Sequence, residues 1–526
     1  MYSLLALATL GSSIIPAIAA ATPKSLQFGP SVDIAAQRAP AIFNSVYDSL
    51  RKWGSTIHPN GMSLFLATVP EGVLLHHGND RNATPTTLDW LAYEIEHAEM
   101  FARAGRSGGG HHPGDKKPGD GKHPLDDILD MKELKRSHEE QVSLADTDGK
   151  PLDESEKNHG WLHTYQTTRP LHFLYVDGMS GNKGHGGVSD TQDFLLRGVR
   201  QEAEGAHPSQ RESLRLKEDR PPGPQDEYQR VLEICDLLGD WDLEGMIRTE
   251  GPGFEIVKCD FSDGLEEVQV VQRADLHGGP PSGRPPNGRP PSGRPPSGRP
   301  PRGRPTDLIG NPPKGPRMHA NRDLDASRTL LDYSSMVSAF FFPVSLDNPA
   351  GGGSNLPRLV NTTEEEMAAI REYLFRVIEQ RRGLPIAQFN WQDIADLVVR
   401  RYASELSAMA TGINSTEAVE QRIDFLLDVF IDYAVAEDVR ESEASQRCSR
   451  FYLQSMPLET EADRLIYSAF EAVNNNICTT LFHVRRLIGG KDDNALLDIQ
   501  DSIKSLMDYL AWSSFQSESE SEPEFP

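Results

Sequence analysis

MSLFLATVPEGVLLHHG, residues 62–78, is the stretch that decides the fold of the front half of this chain. Met62–Val69 is an apolar run of strand-forming residues, and Pro70-Glu71-Gly72 has the composition of a turn. The following VLLHHG is apolar again, which predicts a second strand ending at His77-Gly78. We therefore expect a β-sheet in this part of the chain.

Further strands and helices follow on the C-terminal side. The composition of LHFLYVD, EGMIRTE, FEIVKCDF and LEEVQVVQR predicts four more strands. DEYQRVLEICDLL has helical periodicity, and Thr86–Asp89 is predicted to start a helix that continues through Trp90 and Ile95 to Arg103. The order and content of these elements predict an α+β domain with a largely antiparallel sheet over residues 25–275.

A proline-rich segment separates this domain from the rest of the chain. Residues 280–304 read PPSGR PPNGR PPSGR PPSGR PPRGR, and neither a helix nor a strand ladder tolerates that much proline and glycine. We expect residues 276–321 to be an extended, partly polyproline II spacer. The alternative is a basic ribbon that binds an acidic wall polymer or the protein's own acidic surface. Its arginines would be Arg284, Arg289, Arg294, Arg299 and Arg304.

The pattern beyond this linker is helical, and it predicts an all-α domain over residues 322–513. Thr363–Glu366 is a capping box that opens the first helix, and Asn390 is placed to cap the second. A third helix is predicted from about Thr416 to Val435. A fourth follows Thr460 and reaches Ile488, and a fifth carries Leu496, Leu497, Ile503, Leu506 and Leu510. Residues 514–526 form an acidic tail.

Charge and targeting signals restrict where the protein acts. The formal net charge of −25 argues against nucleic-acid binding, because phosphate contacts need clustered lysine and arginine. Residues 1–20 are uncharged, mostly apolar, and end in Ala-Ile-Ala-Ala, which predicts a cleaved secretory signal. The alternative is an N-terminal membrane anchor. No later stretch approaches the ~18 apolar residues of a membrane span, so we expect a secreted protein without a membrane partner.

Cysteines and sequons agree with secretion. Four cysteines allow three pairings, and the local pairs Cys235–Cys259 and Cys448–Cys478 are favoured because each stays inside one predicted domain. Each pair would close a loop of about 25 to 30 residues and stabilise the fold by about 3 kcal/mol. Three sequons, at Asn82, Asn361 and Asn414, are candidate glycosylation sites.

Most familiar catalytic motifs are absent. There is no His-Glu-x-x-His zinc motif, and Gly178–Lys183 lacks the endings of a phosphate loop or a nucleophile elbow. Glu94 and His97 lie on one face of a predicted helix, a spacing more often found on a hydrogen-bonded surface than in a ligand set. The glycine-rich loop carrying His111, His112 and His123 is not preorganised for a metal. We therefore predict no metal site.

Four features in order resemble the histidine-glycine type of ADP-ribosyltransferase. They are a strand ending in His77-Gly78, the segment HTYQTTRPLHFLYVD, WDLEG opening a strand, and the glutamate-bearing strand GFEIVKCDF. The resemblance covers about 200 residues, from Leu74 to Phe261. The family's Ser-Thr-Ser strand and paired glutamate motif are missing.

This resemblance implies a site for NAD as substrate. His77 would bind a ribose hydroxyl, Gly78 would offer its backbone to the nicotinamide amide, and Tyr165 or Tyr175 would stack on the ring. The carboxylate beside the developing oxocarbenium ion would come from Glu250 or Glu255. The alternative is that His77 only ends a strand and that Glu255 is a solvent-facing edge residue.

A second resemblance covers most of both predicted domains but not the pentad linker. SLRKWGSTIHPNGMSLFLATVPEGVLLHHGN, WLAYEIEHAEMFAR and LHTYQTTRPLHFLYVDGMS are similar to segments of uncharacterised secreted proteins of filamentous ascomycete fungi. In that family the position of His76 is more often aromatic, which singles out His77. The resemblance implies an extracellular fungal protein. We expect a glycoprotein that binds a cell-wall polymer or a host protein, with NAD+ glycohydrolysis or ADP-ribosyl transfer as the alternative.

Overall fold

The computed structural model describes residues 28–102, 160–182, 186–198, 224–273, 326, 328–349, 356–386, 389–490 and 495–516. Several expectations lie outside these residues: the signal segment, the loop with His111, His112 and His123, the pentad linker, and most of the acidic tail. Within the described residues, a curled, mostly antiparallel sheet with helices precedes a helical region, as the sequence predicted. The domain bounds at 25–275 and 322–513 stay a prediction.

The sheet has nine strands in the described part of the chain. They are β1 Ser63–Val69, β2 Leu74–Asn79, β3 Asp89–Ala92, β4 Trp161–Thr167, β5 Leu171–Val176, β6 Gly245–Glu250, β7 Gly253–Lys258, β8 Leu265–Gln272 and β9 Leu330–Ser338. Their spatial order is β8-β4-β2-β3-β7-β6-β5-β1-β9. The two strands of the opening sequence therefore separate: β1 pairs with β5 and β9, and β2 pairs with β3 and β4.

The sheet also recruits a strand from beyond the proline-rich segment. Strand β9 pairs antiparallel with β1, although it lies in the part of the chain expected to be helical. The pair β5–β6 is parallel, and its crossover includes a π-helix, Thr191–Leu196, and helix Pro224–Asp240. Cys235 of that helix is disulfide-bonded to Cys259, just after β7.

Helices occupy both ends of the described chain. They are α1 Val32–Gln37, α2 Ala39–Tyr47, α3 Lys52–Ile57, α4 Ile95–Glu99, α5 Pro224–Asp240, α6 Glu364–Arg381, α7 Trp391–Ser407, α8 Thr416–Leu427, α9 Glu437–Arg450, α10 Glu461–Gly489 and α11 Ala495–Leu510. Capping boxes open α6 at Thr363 and α10 at Thr460, and the Asn390 side chain caps α7. A second disulfide, Cys448–Cys478, joins α9 to α10.

One apolar core runs through both regions. Phe43 on α2 packs against Phe470 on α10, with ring centroids 4.6 Å apart, and against Trp512 near the C-terminal end of the described chain, at 5.7 Å. Trp391 on α7 meets Phe470 at 5.2 Å. The N-terminal helices are therefore part of the helical layer that covers the sheet.

Three helix predictions need correction. The helix expected from Thr86 to Arg103 is wrong: residues 89–92 form β3, because they pair with β7, and only Ile95–Glu99 is helical. The third helix of the C-terminal region ends at Leu427, and a short 3-10 turn replaces its predicted last part. Helix α9 was not predicted, because it buries only Ala444, Cys448 and Ser449 and so has little apolar periodicity.

None of the helices in the described ranges combines the length and the apolar character needed to cross a bilayer.

Candidate functional site

The histidine-glycine pair of β2 lies inside the molecule. His77 is buried; its Nδ1 donates to the Trp90 carbonyl at 2.7 Å, and its Nε2 lies 3.8 Å from Asp89. Burial lowers the pKa of the His77 imidazole. A Cβ on Gly78 would lie 2.0 Å from the carbonyl oxygen of Ala98, so this glycine lets α4 pack directly on the strand. Gly78 is covered by backbone where the NAD hypothesis needs an open floor, and His77 uses Nδ1 on a backbone carbonyl, whereas its buried Nε2 has no hydrogen-bond partner among the described residues.

The two candidate stacking tyrosines are also enclosed. Tyr165 meets Phe261 edge-on at 5.1 Å, and His77 contacts the same Phe261 ring at 5.3 Å. The Tyr175 hydroxyl accepts a hydrogen bond from the Leu50 amide, and its ring is fully buried on β5. Three strands separate β2 from β5 in the sheet, so Tyr165 is near His77 and Tyr175 is not.

The two candidate glutamates point to the opposite face of the sheet from His77. His76, Ala92, Glu255 and Arg248 are successive partners in register across β2, β3, β7 and β6. Partners in register share a face, whereas sequence neighbours on a strand alternate. The structure therefore does not bring His77 together with Glu250 or Glu255. It also corrects the solvent-edge alternative, because Glu255 is only 4% exposed.

Glu250 and Glu255 belong to a buried ionic cluster, which we name the Arg248 cluster. The Arg248 guanidinium bonds Glu255 through Nε at 2.8 Å and Nη2 at 2.5 Å, and Glu227 lies 2.8 Å away. His97 Nε2 lies 2.5 Å from a Glu250 carboxylate oxygen. Burial alone lowers the pKa of His97, but the hydrogen bond to Glu250 and the nearby Glu94 carboxylate, 3.9 Å from Nδ1, raise it to about 9.

His97, Glu250 and Glu255 are the described residues placed to hold a metal ion. One ligand atom of each lies within 4.8 Å of the others. However, a divalent ion would have to displace the His97 proton and share Glu255 with Arg248, whose pKa is raised because neighbouring carboxylates outweigh burial. The cluster therefore fits a network of internal ion pairs better than a metal centre.

A separate cavity of about 280 Å³ lies where the N-terminal helices, the end of β5 and the C-terminal segment meet. We name it the α2–α3 cavity. Its polar wall is built by Asn44, Ser45, Asp48, Ser49, Ser55, His58, Asn60 and Asp177, and its apolar wall by Pro40, Ala41, Phe340, Leu356, Pro357 and Ala511, with Gly54 and Gly178 completing the lining. Because it has both walls, it can hold a small amphipathic molecule.

An aspartate–histidine pair lines this cavity. His58 Nδ1 donates to Asp48 Oδ2 at 2.8 Å, and the Ser513 hydroxyl donates to Asp48 Oδ1 at 2.7 Å. A Cβ on Gly54 would lie 2.1 Å from Asp48 Oδ1, so this glycine makes room for the carboxylate. The His58 side chain is 33% exposed, and His58 belongs to the cavity lining. The hydrogen bond to Asp48 holds the His58 imidazole in one orientation, as is usual for histidines that act as general acids or bases.

Asp177, at the end of β5, supplies a second carboxyl group. Its Oδ1 accepts a hydrogen bond from the Ser63 amide at 2.8 Å. Burial raises the pKa of Asp177 to about 7, against the lowering effect of hydrogen bonds from Ser63 and Ser45. A Cβ on Gly61 would clash with the Asp177 backbone, so a glycine is required beside it.

Asn44 leaves one cavity-lining atom unused. Its Nδ2 donates to the carbonyls of Leu510 and Ala511, which fixes the orientation of the amide. Its Oδ1 is buried and has no hydrogen-bond partner among the described residues. A buried acceptor without a donor is costly, so Asn44 Oδ1 is an acceptor that the described residues leave available beside the cavity.

No motif in the sequence marks these cavity residues as functional. Asp48 and His58 are ten residues apart, a separation that matches no catalytic motif. They come together because a turn at Leu50, with φ of 55°, brings α2 and α3 together. The one usable signal was Asp177-Gly178 at the end of a predicted strand, a common place for functional side chains.

The three sequons are compatible with glycosylation. Asn82, Asn361 and Asn414 are all exposed, and Asn361 makes a single long contact, 3.4 Å, to the Asp347 carbonyl. Modification itself stays a prediction.

Comparison with known proteins places the front region beside uncharacterised fungal proteins. Residues 30–281 match the family model of the YPL277C N-terminal domain. The chain is 31% identical over 255 residues to the uncharacterised protein YOR389W of Saccharomyces cerevisiae, and 32% identical over 250 residues to the uncharacterised protein YPL277C of the same yeast. Each alignment covers 46% of this chain.

The chain spans only 34% and 44% of the lengths of those two relatives. No solved structure matches. The predicted similarity to uncharacterised fungal proteins is thus confirmed for the front region. The matched range includes Asn44, Asp48, His58 and Asp177, whereas the Phe340, Leu356 and Ala511 part of the cavity lies outside it.

Proposed function

We propose that this protein is an extracellular glycoprotein that binds a small ligand in the α2–α3 cavity. The observation that carries the proposal is the buried Asn44 oxygen, which has no hydrogen-bond partner in the described chain and belongs to a cavity also lined by Asp48, His58 and Asp177. Concave sites with apolar lining and a few convergent polar groups are typical small-molecule sites.

Secretion has separate support. The uncharged apolar segment at residues 1–20 has the composition of a signal peptide. Two disulfides, Cys235–Cys259 and Cys448–Cys478, fit an oxidising compartment. All three sequons are exposed. Expression of the full chain in a yeast host tests this: protein in the medium that loses mass on glycosidase treatment supports it, and protein retained in the cytosol contradicts it.

Ligand binding is tested with a library of fragments of low molecular weight. We expect some fragments to raise the thermal unfolding midpoint of the wild-type protein, because ligands that bind only the folded state stabilise it. Ala41→Phe places a ring in the cavity and should abolish the shift. Leu497→Phe, on the exposed face of α11, is the matched control and should retain it. A library without stabilising fragments, or shifts unchanged in Ala41→Phe, would contradict the proposal.

NAD+ glycohydrolysis is not carried forward, because no observation favours it. His77 and the glutamates lie on opposite faces of the sheet. Gly78 is covered by the backbone of α4.

A further inference from the structure

The hydrogen-bond donors of the α2–α3 cavity wall are already used inside the protein. Asn44 Nδ2 donates to Leu510 and Ala511, and Asn60 Nδ2 donates to the carbonyls of Gly186 and Pro357. The hydroxyls of two lining serines likewise donate to backbone carbonyls: Ser49 to Val46 and Ser55 to Arg51. The wall therefore has few donors left for a ligand.

The acceptors of the same wall are still available. Asn44 Oδ1 has no partner among the described residues. Because His58 Nδ1 donates to Asp48, its Nε2 is the imidazole nitrogen left for a ligand. Asp48 and Asp177 add carboxyl oxygens, each with more acceptor positions than its one or two observed donors occupy. An occupant must bring hydrogen-bond donors.

The ionisable side chains of the wall are the carboxyl groups of Asp48 and Asp177 and the imidazole of His58. The lining residues include no lysine or arginine. An anionic ligand would find neither of these cations to pair with, and would be repelled by Asp48. A ligand with only acceptors would leave Asn44 Oδ1 unsatisfied. An ammonium group answers both conditions, because it carries three donors and a positive charge.

The other wall determines the rest of the ligand. The apolar part of the lining consists of Pro40, Ala41, Phe340, Leu356, Pro357 and Ala511. The volume of about 280 Å³ is at the lower limit of ordinary ligand pockets, so the occupant is small. We propose that the α2–α3 cavity binds a small primary amine, with its ammonium group toward Asn44 and Asp48 and its apolar body against Phe340 and Leu356.

This inference rests on the proposed ligand-binding function and adds the chemical class of the ligand. The test is calorimetric titration of the full-length secreted protein with three probes of matched shape: benzylamine, benzyl alcohol and benzoate. We expect benzylamine to bind at least tenfold more tightly than benzyl alcohol, and benzoate not to bind. Tighter binding of benzoate, or equal binding of the amine and the alcohol, overturns the amine assignment.

Variants locate the binding. Asp48→Asn removes the negative charge and should weaken benzylamine at least tenfold, with less effect on benzyl alcohol. Asp498→Asn, the same change at an exposed position of α11, should alter neither. If Asp48→Asn does not fold, Ala41→Phe serves instead and should abolish benzylamine binding. Benzylamine binding that survives Ala41→Phe overturns the inference.

The three probes also separate the two proposals. Benzyl alcohol binding that is lost in Ala41→Phe, without a preference for benzylamine, leaves a ligand cavity but not an amine site. Failure of all three probes to bind up to millimolar concentration overturns the amine site. The fragment screen then tests independently whether the cavity binds any small ligand.

Discussion

The Arg248 cluster and the α2–α3 cavity are both buried and polar, but they use their polar groups in opposite ways. In the cluster, cations and carboxylates alternate: Arg248 lies between Glu255 and Glu227, and His97 lies against Glu250. In the cavity, side-chain amide donors are hydrogen-bonded to backbone carbonyls, and side-chain acceptors remain available to a ligand. The ion pairs of the cluster hold two layers of the protein together. The cavity instead leaves acceptors for which a ligand can supply hydrogen-bond donors.

The comparison shows why a list of buried titratable residues does not locate a site. By the count of histidines and carboxylates, the cluster is the stronger candidate, and it contains both glutamates predicted from the sequence. Its ionic groups, however, are paired with one another, although His97 Nδ1 has no hydrogen-bond partner among the described residues, and such pairing costs desolvation that only good geometry offsets. A site for a ligand needs both an unsatisfied polar group and a cavity beside it, and Asn44 of the α2–α3 cavity has both.

The largest expected effect comes from removing the cation of the cluster. Arg248→Ala leaves Glu255 and Glu227 buried without their guanidinium partner, and should lower the free energy of unfolding by about 3–5 kcal/mol. Chemical denaturation measures this. Arg422→Ala breaks a partly exposed pair with Glu405 and should cost less than about 1 kcal/mol. Equal losses in the two variants would contradict a structural role specific to the cluster.

The next effect concerns His97 and pH. Because the folded pKa of His97 is about 9, above its ordinary value of 6.5, its stabilisation is fully present below pH 6.5 and is lost as pH rises toward 9. Glu250→Gln should lower the free energy of unfolding at pH 6 by about 1.5–3 kcal/mol and flatten this decline. Unfolding curves at several pH values measure it; an unchanged slope between pH 6.5 and 9 would argue against the pair.

A pH effect with a different physical cause is expected at Asp177. Its folded pKa is about 7, above the ordinary 3.8, so the folded state holds a proton that the unfolded chain releases. Stability should therefore fall as pH rises from about 4 to 7, by at most about 1.4 kcal/mol per pH unit. Asp177→Asn keeps the acceptor for Ser63 and should remove most of this slope. A variant with the wild-type pH dependence would contradict the assignment.

The smallest effect on stability is expected in the cavity itself. Ala41→Phe fills existing space and should change the free energy of unfolding by less than about 1.5 kcal/mol while abolishing ligand protection. Thermal unfolding with and without a stabilising fragment checks both parts. A loss of several kcal/mol would show that the side chain does not fit the cavity as described.

Local sequence signals predicted elements whose ends are chemically marked. Three helices were predicted correctly from their capping residues, Thr363, Asn390 and Thr460. The strands on either side of Pro70 were predicted from their apolar composition. Local signals failed at residues 89–92, where pairing with β7 overrides the helical pattern, and at α9, where little apolar surface is buried. Tertiary pairing of this kind leaves no local signal.

The candidate site was less predictable than the fold. The sequence identified Glu250 and Glu255 but not that the sheet turns them away from His77, because face depends on register across three strand pairs. The cavity joins Asn44 and Asp48 to Leu510, Ala511 and Ser513, which are more than 460 residues away along the chain. No motif of fixed spacing connects such residues.

One paired measurement tests the central claim, that the cavity and not the cluster is the ligand site. The fragment that stabilises the wild-type protein most is titrated into Ala41→Phe and Glu250→Gln by calorimetry, each after its fold is verified. We predict that binding is lost in Ala41→Phe and keeps its wild-type affinity in Glu250→Gln. Binding that survives Ala41→Phe and disappears in Glu250→Gln would contradict the account and move the site to the Arg248 cluster.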